Sequence, residues 1–370
     1  MNASILDTGV KMVRNVGGFT VGRGSLDRLP EFVDARRRSA GGAKVVYLVD
    51  GFFRGRPDVV ARLRAESGDV VLFVDVVDEP TTDGIDALTD QLRVATGGSP
   101  ATIVGFGGGT TMDTAKAVAN LLTNGGTAAE YQGWDLVKVP GVHKIAVPTI
   151  SGTGAEATRT CVMTNTKTGL KLGMNSDYTV FDQMVLDPDL TSTVPRNQYF
   201  YTGMDAYIHC VEALAGSYRN AVGDAYSRET VNLCRQVFLS DDMMSDTARE
   251  GLMVASYLGG CAIATSYVGV VHPFSAGLSV VLGLHHCVAN CIALNALGEF
   301  YPDEHAEFRT MLEKQHVALP TEVCAGLRDA EFARLVAATV VHEKPLTNAL
   351  GPGFRKVLTD DRVTDIFRRM

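Results

Sequence analysis

The sequence predicts two domains of different class: an α/β domain built on a parallel sheet over residues 1–188, and an all-helical domain over residues 189–370. Three observations carry this. Short β-rich apolar runs alternate with helical stretches through the first 150 residues, long helical patterns replace the strands beyond about residue 195, and Asp187-Pro188 lies where one texture gives way to the other.

Taken in order, Val45 through Asp50 reads as a strand ending in an acid, and Val70 through Asp75 as another. Asp83 to Ala95 has helical spacing after a Thr-Thr-Asp start. Ala101 through Phe106 has the unbroken apolar character of a buried strand, Met112 to Leu122 returns to helix, and Lys144 to Pro148 is a further strand. Strand-helix-strand repetition of this kind implies crossover helices on a parallel sheet. The helical half reads as Arg196 to Ala215, Ala221 to Leu239, Ala248 to Ser266, one long helix from Pro273 to Leu297 and two more, punctuated by Pro320 and Pro352.

Composition narrows the function. With 46% hydrophobic and 21% charged residues in 370, the chain has the balance of a soluble globular protein. A net charge of -8 supplies no basic surplus for phosphates, so neither nucleic acid nor an anionic membrane is expected as a partner. Seven scattered cysteines with no C-x-x-C pair point to reduced thiols. The N-terminal stretch has no targeting pattern, and the apolar run 252–284 is broken by Gly, Ser and His, so a cytoplasmic protein with buried helices is expected.

Three stretches carry chemistry. Gly105-Phe106-Gly107-Gly108-Gly109-Thr110-Thr111-Met112-Asp113 follows a buried strand and opens a helix. Three glycines let the backbone approach a ligand, and a helix N-terminus offers free N–H groups to a phosphate. The spacing is neither G-x-G-x-x-G nor a P-loop, so pyrophosphate is favoured without the spacing naming the ligand. Pro148-Thr149-Ile150-Ser151-Gly152-Thr153-Gly154-Ala155-Glu156 also follows a strand, where an α/β sheet presents ligand contacts, although an ordinary Ser/Thr-rich turn fits it equally well. In the helical half, Asp205 and His209 stand four residues apart on one helix face, with His272 and His286 downstream. One carboxylate and three imidazoles would nearly complete a shell for a divalent cation, leaving a position for substrate.

Together these segments resemble the iron-dependent, or group III, alcohol dehydrogenases over essentially the whole chain. G-G-G-T-x-x-D at 107–113, P-T-x-x-G-T-x-x-E at 148–156, D-P-x-L-T at 187–191, G-M-D-A-x-x-H at 203–209 and the His272/His286 pair stand in family order. The resemblance implies a dehydroquinate synthase-like fold: an N-terminal dinucleotide-binding α/β domain, an all-α C-terminal domain and a cleft between them. It implies Asp205, His209, His272 and His286 as ligands of one divalent metal, iron(II) or zinc. Gly107, Gly108, Gly109, Thr110 and Asp113 become the pyrophosphate and nicotinamide cradle, Thr149, Ser151 and Thr153 line the cofactor, and Lys171 lies near the nicotinamide ribose. Asp50 sits where the family's acid meets the adenosine ribose. A carboxylate there accepts from the 2′-hydroxyl and repels a 2′-phosphate, so NAD is expected over NADP. A small alcohol or aldehyde as substrate, and a homodimer, follow from the same resemblance.

Departures from the family pattern matter too. Ala276 stands where many members carry a proton-relaying His, so no general base is assigned. His285 adjoins His286, and spacing favours His286 as the ligand; Cys287 beside it reads as core ahead of ligand, and Glu79 replaces a common Asn. Tyr131 through Asp135, Pro148 through Thr160, Leu172 through Asp182 and Tyr199 through Asp205 resemble the subgroup of 3-deoxy-D-manno-octulosonate 8-oxidases, which convert the terminal primary alcohol of an acidic eight-carbon sugar to an aldehyde. On that reading Arg159 is the candidate anchor for the substrate carboxylate, with an ion pair to a nearby acid as its alternative, and Tyr131 and Trp134 offer aromatic faces to a sugar. Reduction of another small polar aldehyde, or an oxygen-using oxidase with tightly held dinucleotide, are the alternative activities.

Overall fold

The computed structural model describes residues 13–76 and 79–370. The first twelve residues, part of the stretch read for a targeting signal, lie outside that range. Two compact units emerge, one of residues 14–193 and one that contains residues 194–370.

In the first unit the strands are β1 (Gly18–Val21), β2 (Val45–Asp50), β3 (Val70–Val74), β4 (Thr102–Gly107), β5 (Gly133–Trp134), β6 (Lys144–Pro148), β7 (Thr160–Asn165), β8 (Leu170–Asn175) and β9 (Gln183–Leu186). Helices α1 (Leu29–Ser39), α2 (Pro57–Ala61), α3 (Thr82–Thr96) and α4 (Gly109–Asn124) connect them. Among the described residues six strands form a parallel sheet in the order β1-β9-β6-β4-β2-β3. Its central members β4 and β6 are buried along their whole length, as a parallel sheet covered on both faces requires. A smaller sheet, β5-β8-β7, is built on the antiparallel pair β7 and β8.

The second unit is helical: α5 (Arg196–Ala215), α6 (Ala221–Phe238), α7 (Asp246–Thr265), α8 (Val271–Leu282), α9 (His286–Ala296), α10 (Pro302–Lys314), α11 (Asp329–Val340), α12 (Glu343–Leu350), α13 (Phe354–Val357) and α14 (Asp360–Phe367). Phe200, Met204, Ile208, Phe238, Leu252, Phe274 and Ile292 belong to one apolar core. Helix α5 runs through it, and Gly203 makes the fit: a Cβ there would stand 2.5 Å from Phe238 Cζ and 2.8 Å from Leu252 Cδ2.

The structure corrects the helix count and adds strands: beyond α9, where two helices were expected, the described residues form five, α10 to α14. The single helix expected from Pro273 to Leu297 is two, because Gly283 takes a left-handed φ of 68° and donates its N–H to Ser279 O at 3.0 Å, ending α8. His286 thereby becomes the first residue of α9. Strands β1 and β9 and the β7–β8 hairpin were not expected from periodicity; β1 and β9 have only four residues each. Among the described residues, no helix is long and apolar enough to cross a membrane, and all seven cysteines are free and buried.

Candidate cofactor and metal sites

Parallel pairing brings three strand ends side by side. Val49 of β2 is in register with Phe106 of β4, and Gly107 of β4 with Pro148 of β6, so Asp50, the glycine run and the Thr149 loop leave the sheet together at its carboxyl edge. Thr149 N–H donates to Gly107 O at 3.0 Å. A Cβ on Gly107 would stand 2.6 Å from Thr111 Oγ1 and 2.8 Å from Asp50 Cβ, so only glycine fits there. One on Gly108 would meet Ile150 Cγ2 at 3.1 Å, and one on Gly109 would meet Thr153 Cγ2 at 3.4 Å. Helix α4 starts at Gly109, with Gly108 as an extended N-cap, so the N–H groups of its first turn have no partner within the helix. Thr111 Oγ1 and Ser151 Oγ are buried without a hydrogen-bond partner. Free N–H groups, a glycine floor and two orphaned hydroxyls fit the pyrophosphate of a dinucleotide.

The other expected cofactor residues hold this edge in shape. Asp50 accepts the Phe52 N–H at 2.9 Å and that of Gly108; burial raises its pKa. Asp113 accepts the Val162 N–H at 2.8 Å, tying α4 to β7, and burial raises its pKa to about 6. Thr110 O accepts the Thr114 hydroxyl at 2.8 Å within α4. Lys171, buried on β8, forms an ion pair with Glu79. Lys116 was not assigned from the sequence although it follows Asp113 by three residues on the same helix; its fully buried Nζ donates to Thr158 O at 3.0 Å, Thr158 Oγ1 at 2.9 Å and Thr160 O at 2.8 Å.

The residues read as substrate contacts also have partners. Arg159 takes the ion-pair role weighed as its alternative, with Nε 3.1 Å from Asp177 Oδ1 and Nη2 on Asp135. Tyr131 Oη donates to Asn124 O at 3.3 Å, and Trp134 lies in β5 beside β8.

In the helical unit, one ligand atom each from Asp205 on α5, His272 on α8 and His286 on α9 lies within 4.8 Å of the others. These three residues, 67 and 14 positions apart in turn, are brought together by helix packing alone. His209, one turn beyond Asp205, stands beside them: its Nε2 is 3.6 Å from Asp205 Oδ1, and its ring stacks on His272 with centroids 4.7 Å apart. Burial opposes ionisation of Asp205, yet His209, His286 and His272 hold its carboxyl far below the usual range. Burial lowers His209 to about 4. Burial also opposes a charge on His272, but Glu212 and Asp205 on its two sides overcome it and raise its pKa to about 9. One carboxylate with imidazoles is a donor set suited to iron(II) or zinc, and a cation would displace the proton that the two acids hold on His272.

Two further residues complete the picture, and sequence reading did not single them out. Glu212 is fully buried and hydrogen-bonds His272 Nδ1 while accepting the backbone N–H groups of Val271 and, at 3.4 Å, His272. Asn290, also fully buried, puts its Nδ2 2.6 Å from Asp205 Oδ1. Helical spacing was the available signal: Glu212 follows Asp205 by seven and His209 by three, and Asn290 follows His286 by four. Ala276, on α8, is buried.

Comparison with known proteins gives consistent matches. A family model described as iron-containing alcohol dehydrogenase matches residues 18–188, and one described as the C-terminal part of the Fe-containing alcohol dehydrogenase family matches residues 199–333. The chain is 34% identical over 222 residues to a sulfoacetaldehyde reductase of Bilophila wadsworthia (strain 3_1_6), covering 59% of this chain and 56% of that protein. It is 30% identical over 319 residues to a 1,3-propanediol dehydrogenase of Citrobacter freundii, covering 82% and 81%. Among solved structures, an alcohol dehydrogenase from Oenococcus oeni superposes with a TM-score of 0.81 at 21% identity, over 97% of this chain and 99% of that one. A sulfoacetaldehyde reductase from Bifidobacterium kashiwanohense in complex with NAD+ gives 0.80 at 21%, over 97% and 98%. At such identities the likeness shows the fold.

Proposed function

Because this chain belongs to the iron-containing alcohol dehydrogenase family, we propose that it interconverts a primary alcohol and its aldehyde with NAD and one divalent metal, iron(II) or zinc. The observation that carries this reading is the convergence of Asp205, His272 and His286, with His209 stacked beside them. Bound, the metal supplies Lewis-acid polarisation of a substrate oxygen and NAD supplies the hydride acceptor.

What the chain's own residues contribute follows from their contacts. With a cation in place of the Nε2 proton, Glu212 would hold the remaining His272 proton on Nδ1 and turn Nε2 to the ion. Asp205 brings the one negative charge among the ligands. On the other unit, the N-terminal turn of α4 and the glycine run would bind and orient the dinucleotide phosphates, with Thr149, Ser151 and Thr153 lining the cofactor, Asp50 at the adenosine ribose and Lys171 near the nicotinamide ribose. No imidazole stands at position 276 to move the alcohol proton, so water, the ribose hydroxyls or another side chain would carry it, and no general base is assigned.

For the substrate we propose the terminal alcohol of an acidic sugar, C8 of 3-deoxy-D-manno-octulosonate, on the strength of the subgroup resemblance over residues 131–135, 148–160, 172–182 and 199–205. A carboxylate bound at Arg159 shares the guanidinium with Asp135 and Asp177, and Tyr131 and Trp134 would face the sugar. The 34% identity to a sulfoacetaldehyde reductase favours a second reading, reduction of a small anionic aldehyde. The experiment is NADH absorbance on mixing metal-loaded protein with NAD and the octulosonate, with and without oxygen, beside NADH with sulfoacetaldehyde. Oxygen-independent NADH formation supports the first reading, NADH consumption with sulfoacetaldehyde alone the second, and aldehyde formed only under oxygen an oxidase. The proposed assembly is a homodimer, which light scattering in solution tests.

A further inference from the structure

Helix α9 turns three side chains toward Asp205. His286 Nε2 lies 3.8 Å from Oδ2, Cys287 Sγ lies 3.9 Å from the same oxygen, and one turn on, Asn290 Nδ2 lies 2.6 Å from Oδ1. That nitrogen is also 3.3 Å from His272 Nε2 and 3.2 Å from His286 Nε2. Of these three atoms only the carboxylate oxygen is an acceptor in every protonation state of the imidazoles. The charged oxygen is the nearest and the strongest acceptor, and it takes the bond. The two imidazole nitrogens stand at longer range around the same carboxylate.

The rest of the Asn290 side chain gains nothing from its place. It is fully buried, its Oδ1 has no hydrogen-bond partner, and its neighbours in sequence, Ala289 and Cys291, are buried apolar residues of the core. An orphaned buried carbonyl is destabilising, so an apolar residue would suit the core better. The side chain is explained by its N–H group.

We propose that Asn290 is the positioning residue of the metal centre: its carboxamide donates to Asp205 Oδ1 and fixes the orientation in which that carboxylate meets a divalent cation shared with His272 and His286. This rests on the metal-dependent reading above and adds a residue outside the ligand set. Because the group is neutral, it orients the carboxylate without adding a second negative charge to the site.

The test is cobalt(II) binding to the full-length protein, measured by competition with a chromophoric chelator together with the d–d absorption spectrum, for wild type, Asn290→Leu and Asn290→Ala. Loss of a partner of this kind weakens metal affinity about 10–100-fold. The expected result is a weakening of that size in both variants with a changed d–d spectrum, while the melting temperature stays within a few degrees and NAD binding is unchanged. Wild-type affinity and spectrum in Asn290→Leu would overturn the proposal; if that variant does not fold, Asn290→Ala decides on the same criteria. Failure of the wild type to take up one cobalt(II) would instead refute the metal-dependent reading itself.

Discussion

Glu212 holds His272 from behind: the carboxylate bonds Nδ1 of the imidazole and also accepts the N–H groups of Val271 and His272 that open helix α8. One buried acid on α5 therefore holds both the α8 N-terminus and the Nδ1 proton of the imidazole it carries.

Glu212→Gln separates these two tasks. A glutamine can accept the backbone N–H groups or the Nδ1 proton through its oxygen, but not both, and its amide then pushes the imidazole proton toward Nε2. Metal affinity should fall about 10–100-fold, with NAD binding untouched. Chelator competition and fluorescence titration with NADH read the two effects separately; unchanged metal affinity would refute the role assigned to Glu212.

Gly107→Ala should act on the other unit. The new Cβ meets Thr111 Oγ1 at 2.6 Å and Asp50 Cβ at 2.8 Å, so β4 or α4 has to shift. Overpacking of this kind costs about 1–3 kcal/mol of stability. NAD affinity should drop at least tenfold while metal content stays at the wild-type level, as titration calorimetry and metal analysis would show.

Lys116→Met removes the donor that joins α4 to Thr158 and Thr160 and takes away the cation 4.0 Å from Asp113. Breaking one side of a buried pair costs about 3–5 kcal/mol. Urea denaturation should show it, and adding Asp113→Asn to the variant should recover part of the loss. No recovery would mean that the lost hydrogen bonds, and not the stranded charge, account for the cost.

His143 sets a pH dependence. Burial is the main cause lowering its pKa to about 4, against the opposing influence of Asp182, and its Nδ1 lies 2.8 Å from Thr102 Oγ1. The unfolded chain takes up this proton near pH 6.5 and the folded one only near 4, so stability present above 6.5 is lost as pH falls through that window and levels off below it. His143→Gln should flatten the fall between pH 6.5 and 4 relative to wild type in urea midpoints. Parallel curves for the two proteins would exclude His143 as the cause.

Some of this architecture was legible before any coordinates, for local reasons. The runs Val45–Asp50, Thr102–Gly107 and Lys144–Pro148 are buried central strands, so their apolar character shows in the chain itself. Asp205 and His209 share a helix face by spacing, and a glycine run at the junction of a strand and a helix is visible in one segment. Tertiary structure decided what depends on distant neighbours. The short strands β1 and β9 are strands because they pair with each other and because β9 also pairs with β6. The break between α8 and α9 turns on one left-handed glycine in a sequence that otherwise reads as continuous helix. Glu212 and Asn290 look like any polar residue in a helix until packing of α5, α8 and α9 turns them onto His272 and Asp205. Periodicity tells which residues face inward, and only the packed helices determine which inward-facing groups meet.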